Sequence, residues 1–146
     1  MAIVGPSGAG KITIANLLAR FWDVMDGCIT IGGVDYKSLS LSELMAKISY
    51  VTQDTFLFNM SIMENIRLGN PAATDEEVKI AGANAQCSDF IEKLEQSYDT
   101  VVGNARAKLS GEQQQRIVIA RAILKNAPIL ICAYKRAGNA YCAGRI

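Results

Sequence analysis

The sequence predicts an α/β fold, and three observations carry the prediction. A short apolar stretch, Ala2-Ile3-Val4, runs into a glycine-rich turn from Gly5 to Gly10 and then into apolar residues at helical spacing. A second apolar stretch, Ile129-Leu130-Ile131-Cys132, has the near-continuous hydrophobic character of a buried parallel strand. Between these two stretches, residues 61–126 read as mainly helical.

Each element has its own reason. Ile14, Leu17, Leu18 and Phe21 recur at helical spacing, which predicts an amphipathic helix from Lys11 to Phe21. Gly27 to Gly33 reads as a strand followed by a turn, and Ser42 to Lys47 as a short helix. Ile48-Ser49-Tyr50-Val51-Thr52 is a second core strand, ending at Gln53. Thr74-Asp75-Glu76-Glu77 opens a helix with a hydroxyl cap and acids in the first turn, just after the breaker Pro71. Ser110-Gly111-Glu112-Gln113 fits a capping box. The helix it opens carries Ile117, Ala120, Ile123 and Leu124 and stops near Asn126-Ala127-Pro128. Ala133 to Ile146 has no clear period and predicts no element.

Composition narrows the class. The chain has 146 residues, half of them hydrophobic, which suits one globular core. A net charge of +1 speaks against a nucleic-acid or membrane-surface binder. No apolar run approaches the roughly 20 residues of a spanning helix, and the first residues lack the pattern of a secretory signal. Cys28, Cys87, Cys132 and Cys142 form no C-x-x-C pair, and there is no histidine to complete a mixed zinc site. They are expected to be free, mostly buried thiols of a reducing compartment.

The chemistry sits first in Gly5-Pro6-Ser7-Gly8-Ala9-Gly10-Lys11. Glycines let the backbone turn tightly and bring its N–H groups against phosphate oxygens. The helix that follows points its positive end at the same place, and Lys11 adds a full charge. The G-x-x-x-x-G-K spacing between a strand and a helix marks a phosphate-binding loop rather than a mere connection. The position after Lys11 should carry a hydroxyl for Mg²⁺, but it is Ile12. Thr13 lies one residue on, about 100° around the helix, and is a poor substitute.

Taken together, these segments resemble the ATP-binding cassette of ABC transporters, of the exporter type. Gly5 to Lys11 looks like its Walker A motif. Val51 to Asn59 resembles the Q-loop region with Gln53 in the glutamine position, and Ser61 to Ile66 continues as exporters do. Leu109-Ser110-Gly111-Glu112-Gln113-Gln114-Gln115-Arg116 resembles the signature motif, and Tyr98 to Gly103 upstream is also similar to exporters. The resemblance covers residues 1–132 and leaves 133–146 as an unmatched tail. It implies a P-loop nucleoside triphosphate hydrolase core, incomplete here, with a helical subdomain at about 61–126.

The resemblance implies ATP as ligand, held by Gly5 to Thr13 and Gln53, with Mg²⁺ as the family's metal. It implies a second ATP-binding domain, whose nucleotide Leu109 to Gln113 would contact. Transmembrane domains are the further implied partners, at the cytoplasmic face of a membrane. Phe56, Leu57 and Phe58 would lie near the surface that meets them. No nucleic-acid partner is implied.

Three departures bear on mechanism. Glu112 stands where the family has its second glycine. There it suits the helix dipole but would repel a γ-phosphate by roughly 1 to 4 kcal/mol at about 4 Å. Ala133 and Tyr134 stand where the family places its metal aspartate and catalytic glutamate. No acid follows Glu112, and no histidine is present to act as the family's switch. Hydrolysis is therefore expected to be negligible, since phosphoryl transfer depends on such groups. The strands that precede Walker A in the family have no counterpart in this sequence, so unpaired sheet edges are expected. The change of character after Cys132 resembles a frameshifted or chimeric tail. The open alternatives are a defective transport ATPase domain, a non-hydrolysing nucleotide-binding or regulatory subunit, and an inactive fragment.

Overall fold

The structure, a computed structural model, describes residues 9–52, 55–103 and 109–132. The expected first strand at Ala2–Val4 and the tail from Ala133 lie outside the described residues. In chain order the elements are α1 (Lys11–Leu18), β1 (Thr30–Ile31), β2 (Val34–Asp35), α2 (Leu41–Lys47), β3 (Ile48–Val51), β4 (Met60–Ser61), α3 (Ile62–Arg67), α4 (Asp75–Asn84), α5 (Ser88–Ile91), β5 (Val101–Val102), α6 (Gly111–Lys125) and β6 (Ile129–Cys132). The chain divides into two compact units, Met1–Gln53 with Ala127–Ile146, and Asp54–Asn126.

In the first unit, β3 and β6 pair in parallel, Ile48 opposite Ile129 through Val51 opposite Cys132. Both strands are where the sequence placed them. Ala15, Tyr36, Leu44, Ile48 and Ile131 form the core around this pair. Thr30–Ile31 and Val34–Asp35 make a hairpin through Gly32 and Gly33, both at positive φ. That is the conformation a two-residue hairpin turn demands and glycine supplies without strain. Ser40 caps α2 reciprocally with Glu43.

The first helix departs from expectation in length and in face. It stops at Leu18, because Arg20 turns into the left-handed region at φ 57°. Ile14 and Phe21, expected on the buried face, are exposed; Lys11, Ala15 and Ala19 are buried instead. These three recur at i, i+4, and the two alanines let the helix backbone approach the core more closely than long side chains would. Tyr36 in the same core is fully buried with its hydroxyl unpaired.

The second unit is a helical cluster with one small antiparallel pair, Met60 opposite Val102 and Ser61 opposite Val101. Its core joins Ile62, Ile66, Val78, Ile91, Val102 and Ile117, all essentially inaccessible. Each such side chain stabilises by about 1.5–3 kcal/mol relative to exposure. Ser61 with Glu64, and Thr74 with Glu77, form reciprocal capping boxes on α3 and α4. Gly69 follows α3 so close to α6 that an added Cβ would lie 2.2 Å from the Arg121 carbonyl oxygen.

Of the described cysteines, all free, Cys87 is buried, Cys132 is half-buried and Cys28 is exposed. The expectation of mostly buried thiols therefore holds for Cys87 and fails for Cys28, which precedes β1 on the surface. Burial pushes the Cys87 thiol up to about 12, which leaves it unreactive at neutral pH.

Candidate functional site

The first cluster of expected site residues gathers at the start of α1. Gly5, Pro6, Ser7 and Gly8 lie outside the described residues, as does Gln53. Gly10 is the N-cap at φ 75°, ψ 8°, and its carbonyl accepts from the Ile14 amide at 3.0 Å. An added Cβ at Gly10 would meet nothing within 4 Å. Backbone conformation, not space, is what calls for glycine here.

No side chain caps α1, and no acid stands in its first turn. Helices α2, α3, α4 and α6 are each closed by a capping box. A helix start with no side-chain cap and no acid in its first turn attracts anions. Lys11 is only 6% exposed, while Ala9, Ile12 and Thr13 are exposed. This arrangement suits a phosphate group. Ile12 offers no oxygen at the expected ligand position, and among the described residues no group of three His, Cys, Asp or Glu could hold a metal ion. Ala133 and Tyr134 lie outside the described residues.

The second cluster is the start of α6. Ser110 Oγ accepts from the Gln113 amide at 3.2 Å, and Gln113 Oε1 accepts from the Ser110 amide at 2.9 Å. Sequence reasoning foresaw this box. Ser110, Gly111 and Glu112 are exposed; Leu109 and Gln113 are half-buried. Glu112 does not stand alone. Arg116 donates to its carboxylate at 2.7 Å, and the same guanidinium donates to the Gln86 carbonyl at 2.9 Å. The hydrogen bond to Glu112 pushes the already high Arg116 pKa higher still. An i, i+4 pair with the acid N-terminal was legible in the sequence. It tempers the repulsion expected of Glu112 by supplying an opposite charge.

Sequence reasoning missed a third feature. Gln114 Nε2 donates to the Leu109 carbonyl at 3.1 Å, and Gln114 Oε1 accepts from Thr55 Oγ1 at 3.3 Å. Thr55, Phe56, Leu57, Val102, Gly103, Leu109 and Gln114 line a cavity of about 150 Å³ there. Phe56 and Phe58 are exposed and stack edge to face at 4.9 Å, while Leu57 packs on the core. No single-residue signal marks Gln114 as a bridge. Among the described residues, no helix is long and apolar enough to cross a membrane.

Known proteins give this geometry its context. The family model described as ABC transporter matches residues 1–132. The chain is 50% identical over 131 residues to the ATP-dependent lipid A-core flippase of Desulfotalea psychrophila, covering 90% of this chain and 23% of that protein. It is also 50% identical over 131 residues to the beta-(1-->2)glucan export ATP-binding/permease protein NdvA of Nitrobacter winogradskyi, covering 90% and 22%. A solved structure of a bacterial Atm1-family ABC exporter with ATP bound superposes with a TM-score of 0.82 at 48% identity, covering 88% of this chain and 22% of that one. The chain thus spans less than a quarter of the length of these relatives. A helix start without a side-chain cap after a glycine-rich sequence, a capped second helix start and a match across 132 residues agree: the chain belongs to the ABC transporter family as an ATP-binding domain of the exporter kind.

Proposed function

We propose that the chain binds the triphosphate of ATP weakly through residues 5–13, and that it serves a membrane exporter as a nucleotide-binding, poorly hydrolysing domain. The uncapped start of α1 behind Gly10 is the observation that carries the reading. The backbone amides and Lys11 hold the phosphates there, and Gln53 lies on the same nucleotide. Ser110 and Gly111 contact the nucleotide of a second ATP-binding domain, and the pair works against transmembrane domains at the cytoplasmic face. Because Ile12, Ala133 and Tyr134 supply no metal ligand or general base, nucleotide binding depends little on Mg²⁺ and hydrolysis is negligible. A non-hydrolysing nucleotide-binding or regulatory subunit, or an inactive fragment, is the alternative reading.

Titration with a fluorescent ATP analogue, with and without Mg²⁺, tests the reading alongside thermal shift. Ligand that binds only the folded chain raises its melting temperature. The expected result is binding of similar strength in both buffers with no phosphate release. A folded sample that ignores nucleotide, or one that releases phosphate at a rate set by Mg²⁺, would overturn it.

A further inference from the structure

The segment from Thr55 to Ser61 is fastened to α6 at two points. At the first, the Gln114 amide accepts from Thr55 Oγ1 and donates to the Leu109 carbonyl. One side chain therefore ties this segment to the residue that immediately precedes Ser110. At the second, Asn65 is fully buried with both ends of its amide in use. Its Nδ2 donates to the carbonyls of Phe58 at 3.0 Å, Met60 at 3.2 Å and Ser61 at 3.0 Å. Its Oδ1 accepts from the Phe58 amide at 2.9 Å and from Arg121 at 3.1 Å, and Arg121 Nε donates to its carbonyl at 2.8 Å. The Arg121 guanidinium also lies 5.8 Å from the centre of the Phe58 ring.

Gln114 and Arg121 are seven residues apart, so they sit on one face of α6 two turns, or about 10 Å, from each other. At the second point Asn65 is buried with its amide fully bonded, which makes it rigid. The Gln114 point is half-buried and borders the cavity, and there a hydrogen-bonded side chain joins the segment to the turn that presents Ser110.

We propose that Gln114 is a positioning residue: it sets the Leu109–Ser110 turn from the position of Thr55, while Asn65 and Arg121 anchor the far end of the same segment on α6. A shift of the chain just after Gln53 then reaches Ser110 through one amide side chain. The proposal rests on reading Ser110 as a nucleotide contact.

Amide hydrogen exchange of the whole chain tests it without nucleotide. Gln114→Met keeps length and removes both hydrogen bonds; Thr55→Val removes only the hydroxyl and is nearly isosteric. Each is expected to speed exchange at Ser110 and Gln113 at least about threefold while Ile117 to Ile123 stay unchanged. The double variant should exchange no faster than Gln114→Met alone. Should Thr55→Val leave Ser110 and Gln113 untouched, or should protection fall along all of α6, Gln114 is only a packing residue and the proposal is overturned. If Gln114→Met does not fold, the Thr55→Val result alone decides. The underlying reading fails separately, if Ser110→Asp leaves nucleotide-dependent pairing of two copies unchanged.

Discussion

Two helix starts in this chain obey the same physics and end in opposite states. At α1 the cap is a glycine in the left-handed region, no side chain closes the amides, and no acid meets the dipole. At α6 a serine and a glutamine close on each other, an acid occupies the first turn, and an arginine one turn on holds that acid. The first end gains from a bound anion; the second is already stable without one. The difference lies in the caps: one start is left without a side-chain partner, the other is closed by its own side chains.

The largest expected effect comes from giving α1 the acid it lacks. Ile12→Glu changes an exposed position, so packing is little affected, and it sets a carboxylate beside the proposed phosphate site. In metal-free buffer, affinity for a fluorescent ATP analogue should fall at least about fivefold, from a repulsion of roughly 1–4 kcal/mol. Unchanged affinity would mean the anion is held elsewhere.

The reverse exchange at α6 comes next. Glu112→Gly restores the family's second glycine and frees Arg116 from its partner. Pairing of two copies in saturating nucleotide, followed by light scattering, should strengthen several-fold. Denaturant titration should show a loss of about 1 kcal/mol from glycine in the first turn and the lost dipole contact.

A smaller contrast separates capping from contact at Ser110. Ser110→Ala should cost about 1 kcal/mol in the same titration, whereas Ser110→Asp should lie within a few tenths of the parent, since aspartate caps as well as serine. If alanine proves silent, the capping box contributes little in solution.

The smallest effect is a pH dependence of the capping boxes on α2 and α4. Hydrogen bonds from Thr74 hold the Glu77 carboxyl below the ordinary glutamate range, and those from Ser40 do the same for Glu43. A lowered folded value means the stabilisation is fully present above the ordinary range and is lost as pH falls through the folded value. Helicity followed by circular dichroism from pH 6 to pH 3 should decline in the parent and decline less in Glu77→Gln. Identical profiles would show that Thr74 and Glu77 do not bond in solution.

Much of this was legible in the chain itself. β6 declared itself by continuous apolar character, β3 by its β-branched and aromatic residues, and the caps at Thr74 and Ser110 by hydroxyls three residues before Glu77 and Gln113. The buried face of α1 was not. Ile14 and Phe21 look like core by hydropathy, yet the alanines face inward, because close approach of backbone outweighs side-chain size there. Nor was the Gln114 bridge, which depends on Thr55 arriving from 59 residues away in sequence. Spacing reports what neighbours along a helix do, and says little about which distant segment lies against them.

Gly69 carries a last consequence. With Arg121 backbone where its first side-chain atom would be, α3 and α6 touch there skin to skin, with no cushion to repack. A flexible neighbour swings aside for an intruding methyl; a helical carbonyl is locked into its ladder. In a library that samples every amino acid at every site, position 69 should therefore return almost nothing but the residue it has.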